Sequence, residues 1–349
     1  MEKKLRGFPC SVRYVIILGG LTLTFYILIV LQSIFMPLLC ALIISILLKP
    51  ICNFFERFKF PKILSTLISM LIMLLVLAVL VLFIVLQFKD IDTDISSITE
   101  GVNAAINKLQ KFDHLNYIKD ISNDLIKSGV SVLQNTLSFT VNLLTHFLLF
   151  LIGVFFFLYY RIFLKEFLFK IIKKPHHVHL ANILQKIQHV VRRYLIGFIS
   201  VLIIVAILNS IGLWALQIKH ALFFGILGSI LLIIPYIGIT IGAILPTLFT
   251  FATTNSFWRA FGVLLVFWAV QFLEGNFITP YVVGKQVSLN AFAVLLVLFL
   301  SGKFFGLMGI ILAIPVLAIL KVIFDEIKPL QPLGFLLGTP KKISNATEQ

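Results

Sequence analysis

Apolar residues occur in long runs along the chain, and short polar segments separate these runs. A helix needs about 20 mostly apolar residues to cross the roughly 30 Å hydrocarbon core of a bilayer. Eight runs approach or exceed that length: 14–31, 34–48, 63–88, 137–160, 194–216, 221–250, 259–279 and 291–324. The pattern therefore predicts an all-α, polytopic transmembrane protein with about eight membrane segments.

The run 14–31 follows four basic residues and in this respect resembles a signal peptide. It is long for the apolar part of such a peptide, and no small-residue cleavage site follows it. We therefore expect a retained first span, which forms a tight hairpin with the second span around Gln32 and Ser33.

Helix-breaking residues interrupt two of the last three runs. They are Pro235, Gly238, Gly242 and Pro246 in 221–250, and Gly302, Gly306, Gly309 and Pro315 in 291–324. A proline inside a helix costs about 3 kcal/mol, and hydrocarbon does not tolerate exposed unpaired backbone. Such breaks lie against protein or line a wet cavity, and in transporters they hold substrate and ion sites. Simple kinking within a packed bundle is the alternative, and whether 291–303 spans or re-enters is left open.

Composition supports a membrane protein. The chain is 60% hydrophobic and 12% charged, whereas soluble domains carry about 45–50% apolar and about 25% charged residues. A net charge of +15 is common in nucleic-acid-binding proteins, but here the basic residues cluster between apolar runs, as in membrane loops. The three cysteines form neither a CxxC pair nor an even disulfide framework. We therefore expect no nucleic-acid partner and no thiolate metal site.

The distribution of charge predicts the orientation of the spans. Segments 1–13 and 49–62 each carry a net charge of +3, and 161–193 carries +7, whereas 88–135 carries −2. Basic loops remain on the cytoplasmic side of a membrane. This places both termini in the cytoplasm of a bacterial inner-membrane protein and places the acidic segment outside the cell.

The acidic segment contains a stripe of apolar residues at helical spacing. Its members are Ile91, Ile95, Ile98, Val102, Ala105, Leu109 and Phe112. Spacings of four and three residues predict one apolar face on an otherwise polar helix. This helix lies on the membrane surface or on the protein's own spans, or alternatively it contacts another subunit.

These features divide the chain into six parts. Residues 1–90 form the first three spans, 91–136 the external amphipathic insert and 137–160 the fourth span. Residues 161–193 form a basic cytoplasmic linker, 194–328 a C-terminal transport module and 329–349 a cytoplasmic tail.

Glu274 is the most informative single residue, because it is the only acidic residue between positions 167 and 324. A carboxylate inside a membrane segment is energetically costly and indicates function by default. Gln271 lies three residues earlier, on roughly the same helix face. A buried Glu274 could exchange a proton or coordinate a cation; alternatively, Gly275 and Asn276 let it reach water at the membrane interface.

Other chemistry-bearing residues give weaker signals. Lys285 and Lys303 could pair with Glu274, attract an anionic substrate or extend to the headgroups, and His146 lies within the fourth span. His176, His177 and His179 lack a nearby cysteine or carboxylate partner, so solvated loop histidines are expected there rather than a metal site. The sequence lacks the phosphate-binding loop and the HExxH, GxSxG and GxGxxG motifs. We therefore expect neither enzymatic activity nor a bound cofactor.

The C-terminal third resembles a known family. Its motifs are Pro235-Tyr236-Ile237-Gly238, Glu274-Gly275-Asn276, Pro280 with Gly284, and Gly306 with Gly309 and Pro315. In combination, over about residues 194–325, they resemble the autoinducer-2 exporter family of bacterial membrane proteins. The chain departs from the family where Ile239 replaces a common proline and where Asn290-Ala291 replaces a histidine-proline pair.

The resemblance implies about eight membrane segments, a homo-oligomer, and gradient-driven or facilitated efflux of a small polar solute. Some members resemble exporters of the autoinducer-2 signal, and others resemble sodium(lithium)/proton antiporters. A third alternative is a non-transporting membrane scaffold that binds partners through its external helix. The expected pathway residues are Pro235, Tyr236, Gly238, Gly242, Gln271, Glu274, Asn276, Pro280, Gly302, Gly306, Gly309 and Pro315.

Overall fold

A computed structural model describes residues 10–109, 136–235, 237–282 and 289–339, and every regular element within these ranges is helical. The α-helices are α1 (Cys10–Val30), α2 (Gln32–Arg57), α3 (Lys62–Leu109), α4 (Thr136–Tyr159), α5 (Arg161–Ile171), α6 (His177–Ala215), α7 (Ala221–Leu231), α8 (Ile237–Thr254), α9 (Phe257–Leu273), α10 (Thr279–Val282), α11 (Ala291–Glu326) and α12 (Gln331–Leu337). A π-helical turn, Glu274–Ile278, joins α9 to α10. The prediction of an all-α fold is confirmed.

Five helical stretches are long and apolar enough to cross a membrane. They are Gln32–Arg57, Lys62–Gln87, Lys174–Ala215, Phe257–Val282 and Ala291–Glu326. A bent pair, Leu144–Tyr159 followed by Arg161–Ile171 at 71°, counts as a sixth if it is one span. Leu18–Val30, Ala221–Leu231 and Gly238–Thr254 are apolar but shorter. The polytopic membrane fold is confirmed, and the predicted break of 221–250 separates α7 from α8.

The longest uninterrupted candidate span is the stretch Lys174–Ala215, with 42 residues. At 1.5 Å per residue it is about 63 Å long, roughly twice the thickness of the hydrocarbon core. One part of this stretch therefore projects beyond the membrane. Helix α6 begins at His177, so residues 177–193 of the predicted basic linker 161–193 are helical and continuous with the span predicted at 194–216.

Helix α3 also extends beyond its predicted span, because its backbone remains helical through Leu109. The first part of the segment predicted to form an external insert is thus continuous with the helix of the predicted third span. Residues 110–135, including Phe112 of the apolar stripe, lie outside the described ranges.

Small residues permit the closest helix contacts. A methyl group at Gly153 of α4 would lie 2.8 Å from Cβ of Ala41 in α2, so the glycine allows the two helices to pack tightly. At the end of α4, Arg161 forms an ion pair with Glu56 of α2, and its Nη1 lies 3.1 Å from Sγ of Cys52. These contacts connect α2 to the point where α4 bends into α5.

Helices α7 and α8 form a tight helical hairpin. A Cβ atom at Gly238 would lie 1.6 Å from the carbonyl oxygen of Leu231, and one at Gly242 would lie 3.1 Å from Cα of Gly228. Later residues of α8 thus lie beside earlier residues of α7, so the two helices are antiparallel. The chain therefore reverses between Leu231 and Gly238, within the run where the proline and glycine pattern predicts a break.

Helix α11 also folds back on itself. Its backbone leaves the helical region at Gly306, where φ is 62° and ψ is −149°. A Cβ atom at Gly309 would lie 2.2 Å from the carbonyl oxygen of Ser301, although eight residues would span about 12 Å in a straight helix. Val297 and Val316 line one common cavity. Ala291–Glu326 is therefore not one straight helix but a hairpin, with residues 291–305 and 307–326 as its two arms.

Both ends of α11 lie at the same end of the bundle. The N–H of Asn290 donates to the carbonyl oxygen of Leu337 over 2.8 Å, and Gly338 lies close to Lys321. Glu326 forms an ion pair with Lys186 near the start of α6. The hairpin thus begins and ends beside the basic end of α6.

Candidate functional site

Glu274 begins the π-helical turn Glu274–Ile278. The backbone N–H of Thr279 donates to the carbonyl oxygen of Glu274, which is the i to i+5 bond of a π-helix. Pro280 follows and has no N–H to donate to the previous turn, so an α-helix could not continue undisturbed. Nδ2 of Asn276 donates to the carbonyl oxygen of Phe272 over 2.9 Å. Single π-helical turns inside α-helices often occur at functional sites.

Both carboxylate oxygens of Glu274 accept hydrogen bonds. Nε2 of Gln271 donates to Oε2 over 2.7 Å, and the hydroxyl of Thr279 donates to Oε1. The side chain of Glu274 is half-buried. Each carboxylate oxygen has two lone pairs, so each can still accept a proton or bind a cation.

The π-turn packs against α6, in an apolar cluster that also includes Leu232 from the reversal between α7 and α8. Val270 and Ile278 contact Val201 and Val205 of α6, and Leu232 joins the same apolar cluster. The fold therefore brings the Glu274 segment to the tip of the α7–α8 hairpin. Pro235 lies in this tip and is half-buried, whereas Tyr236 lies outside the described residues.

Buried polar groups occur where α6 meets α7. Asn209 is only 2% exposed, and a methyl group at Gly228 would lie 3.8 Å from its Nδ2. Oδ1 of Asn209 and Oγ of the neighbouring Ser210 have no hydrogen-bond partner among the described residues. A buried polar atom without a partner costs about 1–3 kcal/mol, so these oxygens are candidate ligands for a solute or an ion.

The turn of the α11 hairpin borders a separate cavity of about 720 Å³. Its walls come from Gly302 and Gly306 of α11, the turn between α1 and α2, and α4. Polar lining residues include Gln32, Ser33, His146 and Lys303. The rest of the lining is mostly apolar, and no acidic residue is among the described lining residues, so Lys303 gives this cavity a positive charge.

The π-turn with its flanking residues and the α11 hairpin, which together hold most of the predicted pathway residues, contact α6 at different points. The Glu274 group lies near Val201 and Val205, whereas the α11 hairpin packs with Leu312 against Val191. About ten residues of α6, or roughly 15 Å, separate these contact points. The Glu274 group holds Gln271, Asn276 and Pro280, the α7–α8 hairpin holds Pro235, Gly238 and Gly242, and the α11 hairpin holds Gly302, Gly306, Gly309 and Pro315.

Sequence reasoning missed Thr279, Asn209 and Gln32 as site residues. Thr279 lies five residues after Glu274, a spacing that places two side chains on different sides of an α-helix. Asn209 has no charge and lies in an apolar span, where only its polarity could have marked it. Gln32 was assigned to a turn and not to a site.

The histidine-rich region gives no metal site within the described ranges, where no group of three His, Cys, Asp or Glu residues could hold an ion. Nε2 of His177 lies 2.8 Å from the carbonyl oxygen of Ile172, and Nε2 of His179 lies 3.0 Å from that of Glu326. Both rings therefore take part in local contacts.

Comparison with known proteins gives one consistent result. Residues 15–328 match the family described as "AI-2E family transporter". "AI-2 transport protein TqsA" of Escherichia coli is 24% identical over 338 residues, which cover 95% of this chain and 97% of that protein. Two Bacillus subtilis proteins, "Putative transport protein YrrI" and "Putative transport protein YueF", are 25% and 28% identical. These matches cover 84% and 85% of this chain and 86% and 85% of the two relatives, respectively.

Proposed function

This chain belongs to the AI-2E family of transporters, and from that premise we propose that it is a secondary transporter that exports a small polar solute, with autoinducer-2 as the first candidate. The family is one of transporters and not of enzymes, so a non-transporting scaffold is not considered further. The name of the TqsA relative supports the choice of autoinducer-2 as the first solute to test.

The observation that carries the proposal is the environment of Glu274. The only acidic residue in a stretch of more than 150 residues lies half-buried in a π-helical turn, beside the reversal of a helical hairpin. Gln271 and Thr279 hold its carboxylate by hydrogen bonds. Glu274 is the coupling group in this proposal, because it can gain or lose a proton while these neighbours fix its position.

The two hairpins supply the solute pathway. Helix reversals leave backbone groups without helical partners, and in transporters such groups bind substrates and ions. The cavity at the α11 turn, at about 720 Å³, lies within the usual size range of small-molecule sites. Gly302 and Gly306 would expose backbone to the solute there, while the α7–α8 hairpin responds to the protonation of Glu274.

A sodium(lithium)/proton antiporter is the second candidate, and the same carboxylate favours it. A carboxylate, a hydroxyl and an amide oxygen are ligands that suit a small hard cation. Competition between such a cation and a proton for Glu274 would couple their opposite movements. The exporter requires efflux of autoinducer-2, whereas the antiporter requires proton movement that depends on sodium or lithium. One reconstituted system can therefore distinguish the two functions.

The decisive experiment uses the full chain in proteoliposomes. One set contains trapped autoinducer-2, whose efflux is followed under an imposed pH gradient. The other contains a trapped pH dye, and sodium or lithium is added outside. Autoinducer-2 efflux supports the exporter, and a cation-dependent pH change supports the antiporter. If the wild type gives neither signal, both candidate functions are wrong.

Glu274→Gln tests the coupling role, with Glu166→Gln as the matched control. Glu166 is exposed in α5 and forms no ion pair within the described ranges, so its loss removes the same charge elsewhere. We expect the Glu274 variant to remain folded and to lose coupled flux. Undiminished flux in that variant would contradict the assigned role.

The assembly and orientation of the chain complete the proposal. We propose a homo-oligomer in the bacterial inner membrane with both termini in the cytoplasm, supported by the family resemblance and by the basic segments 1–13, 49–62 and 161–193. Accessibility of single cysteines at each end to a membrane-impermeant reagent tests the orientation. The molar mass of the detergent complex tests the oligomer.

A further inference from the structure

Helix α5 leaves the axis of α4 at 71° and has no buried residue. One face of α5 is continuously apolar and exposed, with spacings of one and four residues that follow the helical period. Its members are Phe163, Leu164, Phe167, Leu168 and Ile171. A short amphipathic helix at the end of a membrane span is typical of a segment that lies in the bilayer interface with its apolar face toward the acyl chains.

The other face of α5 borders a cleft of about 740 Å³. Four lysines contribute to the lining: Lys165 and Lys170 from α5, and Lys173 and Lys174 from the segment that follows. Glu166 is the one acidic residue among the described lining residues, so the cleft has a clear excess of positive charge. The basic cleft and the apolar face thus lie on opposite sides of one short helix, as expected for a helix that lies in the bilayer interface.

Contacts between α5 and the residues that follow it shape this cleft. Nε2 of His177 lies 2.8 Å from the carbonyl oxygen of Ile172, and its ring meets that of Phe169 edge-on at 5.1 Å. Nζ of Lys165 lies 5.8 Å from the centre of the Phe169 ring. These contacts hold the start of α6 against α5. Within the described ranges, Lys170, Lys173 and Lys174 form no ion pair, so their charge is available to a ligand.

We propose that this cleft binds the headgroup of an anionic phospholipid. The lysines would contact the phosphate, while the acyl chains would lie along the apolar face of α5. This ligand needs both features, because its charge and its hydrocarbon are joined in one molecule. A cluster of basic residues on an amphipathic helix beside a membrane span is the pattern that binds anionic lipids. The site is separate from Glu274 and does not depend on the proposed transport activity.

The test uses the purified full chain in a neutral detergent and measures the dissociation constants of fluorescent phosphatidylglycerol and phosphatidylcholine. The cleft variant is Lys170→Gln/Lys173→Gln/Lys174→Gln. Its matched control is Arg57→Gln/Lys59→Gln/Lys62→Gln, which removes the same charge from three exposed residues at the turn between α2 and α3. Each lysine near an anionic surface contributes roughly a factor of five to binding.

We expect the wild type and the control variant to prefer phosphatidylglycerol by about tenfold or more, and the cleft variant to lose this preference. Equal weakening of phosphatidylglycerol binding in both variants would show that only the total charge of the protein matters, and would overturn the proposed site. Displacement of the lipid by millimolar glycerol 3-phosphate would assign the cleft to a soluble anion instead.

A second variant tests the apolar face. Phe163→Ser/Phe167→Ser should weaken phosphatidylglycerol binding while the mass of the protein complex stays unchanged. A change in oligomer mass with unchanged lipid affinity would show that this face contacts another copy of the chain, and would contradict the proposal. Thermal unfolding of each variant checks that it is folded.

Discussion

The hydroxyl of Thr279 donates a hydrogen bond to Oε1 of Glu274, although five positions separate the two residues. In an α-helix with 3.6 residues per turn, such residues lie about 140° apart around the axis. In the π-helical turn the backbone hydrogen bond joins residues that are five positions apart. The turn is therefore wider than in an α-helix, and the side chains of Glu274 and Thr279 lie on one side of it. The carboxylate environment therefore depends on a local widening of the helix.

This relationship predicts that Thr279→Val slows transport. Loss of a hydrogen bond to a charged group costs about 1.5–3 kcal/mol, so we expect roughly a tenfold or greater fall in coupled flux. Thr279→Ser keeps the hydroxyl and should keep most of the flux. Proteoliposome assays of the two variants provide the measurement. Equal rates in Val and Ser variants would contradict a role for this hydrogen bond.

The ion pair between Glu56 and Arg161 predicts a strongly non-additive mutant cycle. Both side chains are mostly buried, at 24% and 19% exposed, so removing one leaves the other charge poorly compensated. We expect Glu56→Gln and Arg161→Gln each to lower the temperature of thermal unfolding. The double variant should lower it by less than the sum of the two. Strict additivity would mean that the pair does not stabilise the bend at α5.

The α7–α8 hairpin predicts a graded response to added methyl groups. A methyl at Gly238 would collide with the backbone oxygen of Leu231, whereas one at Gly242 would meet Cα of Gly228 at 3.1 Å. We expect Gly238→Ala to destabilise the protein severely and Gly242→Ala to do so modestly. Gly20→Ala is the control, because a methyl there meets no atom within 4 Å. Yield and thermal unfolding in detergent rank the three variants.

Much of this architecture could be predicted from the sequence, because hydrocarbon imposes one-dimensional rules on a chain. Span length, the broken regions and the isolation of Glu274 all follow from the order of apolar, charged and helix-breaking residues. The prolines and glycines of 221–250 correctly predicted a break there, but they did not predict that the chain reverses. The bend between α4 and α5 had no such marker, since Tyr160 is neither proline nor glycine.

The remaining features depend on contacts between residues that are distant in the sequence. Lys303 and His146 line one cavity only because the α11 hairpin places its turn beside α2 and α4. The direction of the chain after Gly306 depends on a φ of 62°, and a glycine in a sequence does not reveal which of its conformations is used. Asn209 became a candidate ligand only when its burial was known.

The backbone conformation at Gly306 favours glycine, whereas the helical conformation at Gly20 does not. Its φ of 62° and ψ of −149° lie in a region that is nearly exclusive to glycine, and other residues there cost about 1–3 kcal/mol. We therefore expect Gly306→Ala to lower the unfolding temperature and to impair flux. Nothing lies within 4 Å of a methyl at this position, so the effect would arise from the backbone and not from crowding. Unchanged unfolding and flux would contradict the fold-back geometry.

The fold-back of α11 also predicts a specific cross-link between its two ends. Leu289 and Gly338 face each other in an isolated antiparallel bridge. Residues opposite each other in such a pair have Cα atoms about 4.5–5.5 Å apart, a distance that suits a disulfide. We therefore expect Leu289→Cys/Gly338→Cys, in a background without native cysteines, to form a disulfide on mild oxidation.

A straight α11 could not give this result. A continuous helix of 36 residues would be about 54 Å long, whereas the 12 residues from Glu326 to Gly338, with α12 helical, reach at most about 31 Å, and residues 289–291 add about 7 Å. Leu289→Cys/Lys303→Cys is the control, because it joins the end of the hairpin to its turn, about 20 Å away along the first arm. Cross-linking of both pairs to the same extent, or of neither, would contradict the fold-back. Selective linkage of 289 to 338 would support a hairpin whose two ends lie at one end of the bundle.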